Sequence, residues 1–231
     1  MAIYSNTMSP PRDQIVPAES LDQHLSDTIE MYTGIFSFFL SPAMFLLDTV
    51  KINNLRARAA ACLEQQIDVD DTMFAEAEEI LAQIEAFDCE QWAQEKHPAF
   101  HLEWALIGRI FRAATAIYCI MSLRSIGIFP NGTHYIRKHV AYGDRLLVDL
   151  KSALPSPRLR FFLMWPLVVA GVEAGYKSSQ ARRWVEEKLE ELTRALGTTS
   201  PLKARVVLKT YWDGDARGWD QCFGKANCFV L

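Results

Sequence analysis

From about residue 20 to the C-terminus, apolar side chains return every three or four residues, and β-branched runs with a period of two are missing. A chain patterned this way hides its apolar surface as stripes on helices. The expected fold is therefore all-α, a single helical domain of about seven to nine helices. Leu46, Leu47, Val50, Ile52 and Leu55 form one stripe, continued by alanines to Leu63. Phe74, Ala77, Ile80, Leu81, Ile84 and Phe87 form the next. After Pro98, Phe100, Trp104, Ile107, Phe111, Ala114, Ile117, Tyr118 and Met121 form the longest.

Capping residues divide the pattern. Ser20-Leu-Asp-Gln predicts a helix running towards Met31, and Ser41-Pro42 places proline at a first helical position. The acidic run 68–71 suits a helix start, where negative charge meets the positive end of the dipole. A loop is expected at 127–132, a helix over 133–154, and further helices over about 158–174, 178–196 and 200–213, with Gly197 as a C-cap. Residues 1–19, polar and rich in proline, are expected to be a flexible segment ahead of a domain over 20–231.

Composition narrows the class. Half of the residues are hydrophobic, with 13 Phe, 7 Tyr and 6 Trp, which excludes a disordered chain. Charge is unevenly spread: 1–115 holds 7 Lys and Arg against 18 Asp and Glu, whereas 116–231 holds 17 against 10. Such halves pack on each other or on a partner, or present solvated faces. The basic half lacks the clustered stripe of a nucleic-acid footprint. No leader with a basic start and apolar centre opens the chain, so secretion is not expected. The strongest apolar runs, 35–47 and 161–172, are about a dozen residues with a proline in each, short of the ~20 needed to span a membrane.

Sites with a declared chemistry are hard to find. Cys62, Cys89, Cys119, Cys222 and Cys228 form no CxxC pair and are expected to be reduced thiols. His97 and His101 are split by Pro98 and have no third ligand at usable spacing, so no metal is expected. His134 and His139 do not align, and the acidic trio Asp68, Asp70 and Asp71 lacks the glycine and glutamate of a calcium loop. No phosphate-binding loop, nucleophile elbow or dinucleotide fingerprint occurs, and no cofactor is expected.

The last third carries a more specific pattern. Phe162-Leu-Met-Trp165-Pro166 leads through Ala170-Gly171 to Glu173-Ala174, followed by Arg182-Arg183-Trp184-Val185. Leu196-Gly197-Thr-Thr-Ser200-Pro201, Tyr211-Trp212-Asp213-Gly214 and Gly218-Trp219-Asp220-Gln-Cys222-Phe223 complete it. This resembles the C-terminal end of the fungal-specific transcription factor domain found in regulators with a binuclear zinc cluster. The stretch 48–58, with Asn54-Leu-Arg56-Ala57-Arg58, Trp92 and the aromatic helix over 104–123 resemble the same family's middle. The resemblance covers about residues 35–231.

The family's regulators usually open with six clustered cysteines that hold two zinc ions and touch DNA. This sequence holds 5 cysteines in all, the first at Cys62, so autonomous DNA binding is not expected of it. What remains resembles the effector half, which implies an apolar small molecule or another regulator protein as partner, no membrane, and residence in the nucleus or cytoplasm.

Physical readings of the motif residues leave alternatives open. Pro166 removes a helical hydrogen bond, and the resulting kink either is filled by core side chains or opens space beside Phe161, Phe162 and Trp165 for an apolar ligand. Glu173, after ten apolar residues, must be paired if buried; Arg182 or Arg183 is the expected partner. Glu173 with Arg183 is also the candidate acid/base pair if the chain is an enzyme. Trp212, Trp219 and Phe223, with Gly214 and Gly218, read as a lid on the bundle or as ligand contacts, and Trp184 joins the motif residues around the pocket. The leading expectation is a regulator-like domain of fungal specialised metabolism. The alternative is a cofactor-free cyclase, isomerase or pericyclase of the same metabolism, and a shortened gene product is the third.

Overall fold

The computed structural model describes residues 2–14, 41–215, 217–227 and 229. The helix expected from Ser20 towards Met31 lies outside them. The described residues form ten α-helices and no strand. In chain order these are α1 (Ala2–Thr7), α2 (Ala43–Glu64), α3 (Asp71–Ala86), α4 (Cys89–Lys96), α5 (His101–Ser125), α6 (Thr133–Ala153), α7 (Met164–Ala174), α8 (Ser179–Leu196), α9 (Ser200–Asp213) and α10 (Trp219–Cys222). Three single 3-10 turns, Pro11–Asp13, Pro98–Phe100 and Arg160–Phe162, join them.

Local signals set the boundaries. Asp70 caps α3 by accepting from the Met73 amide at 2.9 Å, and Asp88 caps α4 in the same way. Gly197 closes α8 with φ 66°, a left-handed conformation that favours glycine. Gly127, with φ 83°, turns the chain into the loop before α6.

α5 runs through the centre and packs against α2, α3, α4, α6, α7 and α10. Its middle, from Ala113 to Leu123, is buried on every face, as expected of a helix hydrophobic all round. Together with the turn at Pro98 it is long and apolar enough to cross a membrane, yet 83% of its apolar window is covered by the surrounding helices. The acidic and basic halves meet across this core. Lys138 of α6 pairs with Glu85 of α3 at 2.9 Å, and Tyr135 donates to Glu78 at 2.6 Å.

Two expectations change. Of the expected flexible segment, residues 2–9 are packed: α1 docks on α2, and Tyr4, Ser5, Asn6, Thr7, Met8 and Ser9 are buried. Its polar residues are short enough to bond within the turn, Thr7 to the Tyr4 carbonyl at 2.6 Å and Ser9 to the Ser5 carbonyl at 2.9 Å. The helix expected over 158–174 is also two pieces, since α7 starts only at Met164. Pro166 therefore lies in the first turn, where a missing N–H breaks no helical hydrogen bond and no kink follows.

Candidate functional site

The motif residues converge on a buried guanidinium. Arg56, in the middle of α2, is fully shielded from solvent. It donates to the Tyr118 hydroxyl at 3.0 Å and the Ser9 carbonyl at 3.4 Å, and pairs with Asp220 of α10. The Tyr118 hydroxyl in turn donates to the Asn53 side chain. Burial works against the charge on Arg56, but Tyr118 and Asp220 outweigh it and hold the guanidinium above its ordinary value. Burial also pushes the Tyr118 phenol up to about 12. One cation thus ties the turn after α1 to α2, α5 and α10.

The tryptophans surround it. Trp165 stacks on Tyr4 at 4.5 Å between ring centres and donates its indole N–H to Thr7 Oγ1 at 2.9 Å. Trp219 packs on Tyr118 at 4.8 Å and donates to the Thr7 carbonyl at 2.6 Å. Phe223 closes on Trp219 at 5.1 Å, and both rings are sealed. The space beside Trp165 is therefore filled by α1. Trp212 reaches a different place, donating to the Gly171 carbonyl at 2.9 Å. Trp184 is only partly covered, with the Lys151 ammonium 5.7 Å from its ring centre.

Glu173 is fully buried but does not pair as expected. Its carboxylate accepts from His139 Nδ1 at 2.9 Å, and the Lys177 ammonium lies 3.7 Å away. Arg182 instead donates to the carbonyls of Ala174 and Gly175, at 3.2 and 3.0 Å, and Arg183 is exposed. The reason is length and direction. Arg182 caps the C-terminal carbonyls of α7, whereas Glu173, the residue before Ala174, faces α6 through the gap left by Gly143. His139, set aside as one of two misaligned histidines, is the partner that sequence reasoning missed. A buried carboxylate four residues before Lys177 signalled a pair, but nothing in the sequence pointed to α6.

Open space lies one turn away from Trp165. A groove of about 760 Å³ runs between the start of α5 and the 3-10 turn before α7. Its walls include His97, Trp104, Ile107, Phe161 and Phe162, with Phe100 at its mouth. His97 stacks on Trp104 at 3.2 Å, and burial together with Lys96 pulls its pKa below the ordinary value, favouring the neutral ring. At the rim, Arg158 covers the Phe100 ring at 4.6 Å and pairs with Glu103 at 3.5 Å. Phe100 and Phe161 remain 50% and 45% exposed, an unusual exposure for two neighbouring phenylalanines. Such a groove can bind apolar molecules. Among the described residues no group of three or more His, Cys, Asp or Glu could hold a metal ion.

Residues 45–223 match the family described as the fungal specific transcription factor domain. The chain is also 37% identical, over 190 residues, to the "Phomenoic acid biosynthesis cluster-specific transcriptional regulator" of Leptosphaeria maculans (strain JN3 / isolate v23.1.3 / race Av1-4-5-6-7-8). That match covers 82% of this chain and 36% of the relative, so the chain spans about a third of the relative's length. No solved structure matches.

Proposed function

The chain belongs to the fungal specific transcription factor domain family, and on that premise we propose that it is a regulatory domain of fungal specialised metabolism that takes a small apolar molecule into the groove at Phe161. The relative's name supports the metabolic setting, and the groove supports the ligand. The reading places the protein in the nucleus or cytoplasm, where it pairs with another regulator protein. The observation that carries it is the solvent-open apolar wall of Trp104, Phe161 and Phe162. Binding fits this wall better than catalysis does. Glu173, the acid/base candidate, is sealed between His139 and Lys177, and Arg183 stands apart on the surface.

Replacing the host's gene with a Phe161→Asp variant tests this. Phe161 is half exposed, so the variant should accumulate to the normal level. Transcripts of the regulated biosynthetic genes should fall, and product with them. Constant transcripts together with one accumulating intermediate would refute regulation and favour the enzyme.

A further inference from the structure

A second pocket, polar where the groove is apolar, lies at the far end of α5. It encloses about 190 Å³ and is lined by Arg124, Ser125, Asn131, Tyr176, Arg217 and Gly218, with Met121 beneath and Gln221 at the edge. No Asp or Glu is among these lining residues. Two guanidinium groups thus face one small space from different parts of the chain, Arg124 from the end of α5 and Arg217 from the turn before α10. Both act on the Tyr176 hydroxyl, each favouring its ionised form, although burial holds the phenol above its ordinary value.

The two arginines are fixed in place. Arg217 donates to the carbonyls of Tyr211, at 3.3 Å, and of Gly214 and Trp212, and lies over the Tyr211 ring. Arg124 donates to the Asn131 side chain at 3.1 Å. Its Nε is buried and meets no acceptor among the described residues. A buried guanidinium N–H without an acceptor is costly, and an oxyanion accepts from such a fork in the geometry that arginine suits best. Ser125 is held at the wall, its hydroxyl oxygen accepting from the Trp219 amide at 3.0 Å, which leaves its O–H as a further donor.

We propose that this pocket binds an oxyanion, the carboxylate or phosphate group of a small metabolite, held by Arg124 with Arg217 and the Tyr176 hydroxyl around it. Asn131 is exposed and accepts from Arg124 through its side-chain oxygen, so the anion takes over from that oxygen. Because α10 carries Trp219 and Asp220, an anion here would brace the segment that reaches the Arg56 hub.

The test is amide NMR of the purified chain, titrated with inorganic phosphate and separately with succinate, against sodium chloride at equal ionic strength. Saturable shifts confined to the amides around Arg124, Gly218 and Gln221 are expected with one of the two oxyanions and not with chloride. A response to phosphate alone assigns a phosphorylated ligand, and a response to succinate alone assigns a carboxylate. Asn131→Asp, which sets a competing carboxylate on the fork, and Arg124→Gln should each weaken binding about tenfold or more. Asn131→Asp changes only an exposed loop side chain, so loss of fold cannot mimic the result. Shifts scattered over the basic surface, equal response to chloride, or no effect of Asn131→Asp would each overturn the proposal.

Discussion

The imidazole of His139 and the carboxylate of Glu173 meet at 2.9 Å with neither side chain reaching solvent. The contact exists because Gly143, one turn along α6 from His139, has no side chain. A Cβ there would stand 2.4 Å from Glu173 Cγ. The backbone gap and the buried pair are two halves of one fitting.

Gly143→Ala should therefore destabilise the domain, although alanine is the better helix former by about 1 kcal/mol. Displacing a buried, bonded carboxylate costs more than that gain, and a net loss of about 1–3 kcal/mol is expected. Glu173→Ala leaves His139 without its partner and should cost about 3–5 kcal/mol. Urea denaturation of the two variants measures both; a stabilised Gly143→Ala would contradict the arrangement.

Asp48 is buried in α2 with Lys51 3.6 Å away and no hydrogen bond to either carboxylate oxygen among the described residues. Burial pushes its pKa up to about 6, with Lys51 pulling partly back. The folded state then binds the proton more tightly than the unfolded chain does. Its contribution to stability is largest in acid and falls as pH rises from about 4 to about 6, then stays level. Asp48→Asn should remove this slope. Its stability relative to the parent should rise by about 2–3 kcal/mol across that window, as read from denaturation at a series of pH values.

Thr7 holds both indoles, accepting from Trp165 through its hydroxyl and from Trp219 through its carbonyl. Removing residues 1–9 should expose both rings, shift tryptophan emission to longer wavelength and lower the melting temperature. Thr7→Val keeps the backbone acceptor and loses only the Trp165 bond, so a smaller loss of about 1–3 kcal/mol is expected. A Thr7→Val variant as stable as the parent would show that α1 contributes packing and its backbone acceptor alone.

Burial pushes the Cys89 thiol up to about 11, and those of Cys119 and Cys222 well above their ordinary value. Cys62 is half-buried near the end of α2. Among the cysteines of the described residues, alkylation at neutral pH, mapped by mass spectrometry, should label Cys62 first, with Cys89, Cys119 and Cys222 reacting only as the domain unfolds. Early labelling of Cys222 would mean that α10 opens on its own.

The helical architecture was legible because the apolar spacing of α3 and α5, the acidic start of α3 and the glycine end of α8 are local signals. What sequence could not show was distance across the fold. Glu173 announced that it needed a partner, yet His139 lies 34 residues away and nothing local joins them. Trp165-Pro166 suggested open space, but the register of α7 put Pro166 in a harmless position and α1 filled the gap. The open groove formed instead beside Phe161 and Phe162, which the same reading had named; Trp104 of the α5 stripe supplies one wall, and His97 another from the turn before α5, which periodicity does not describe. Arg56 stood out as part of a motif, and only its surroundings reveal that the motif is a joint between helices.

That joint constrains how the protein can be made. The hydrogen bond from Trp219 to Thr7 spans 212 residues. During synthesis α1 leaves the ribosome well ahead of the residues that complete its burial, Trp219 following Thr7 by 212 residues. Until then Tyr4 and Met8 have only part of their final cover, and the nascent chain presents apolar surface to whatever is nearby. Slow-growing host conditions or scarce chaperones should therefore limit the yield of this protein more than its final stability would suggest.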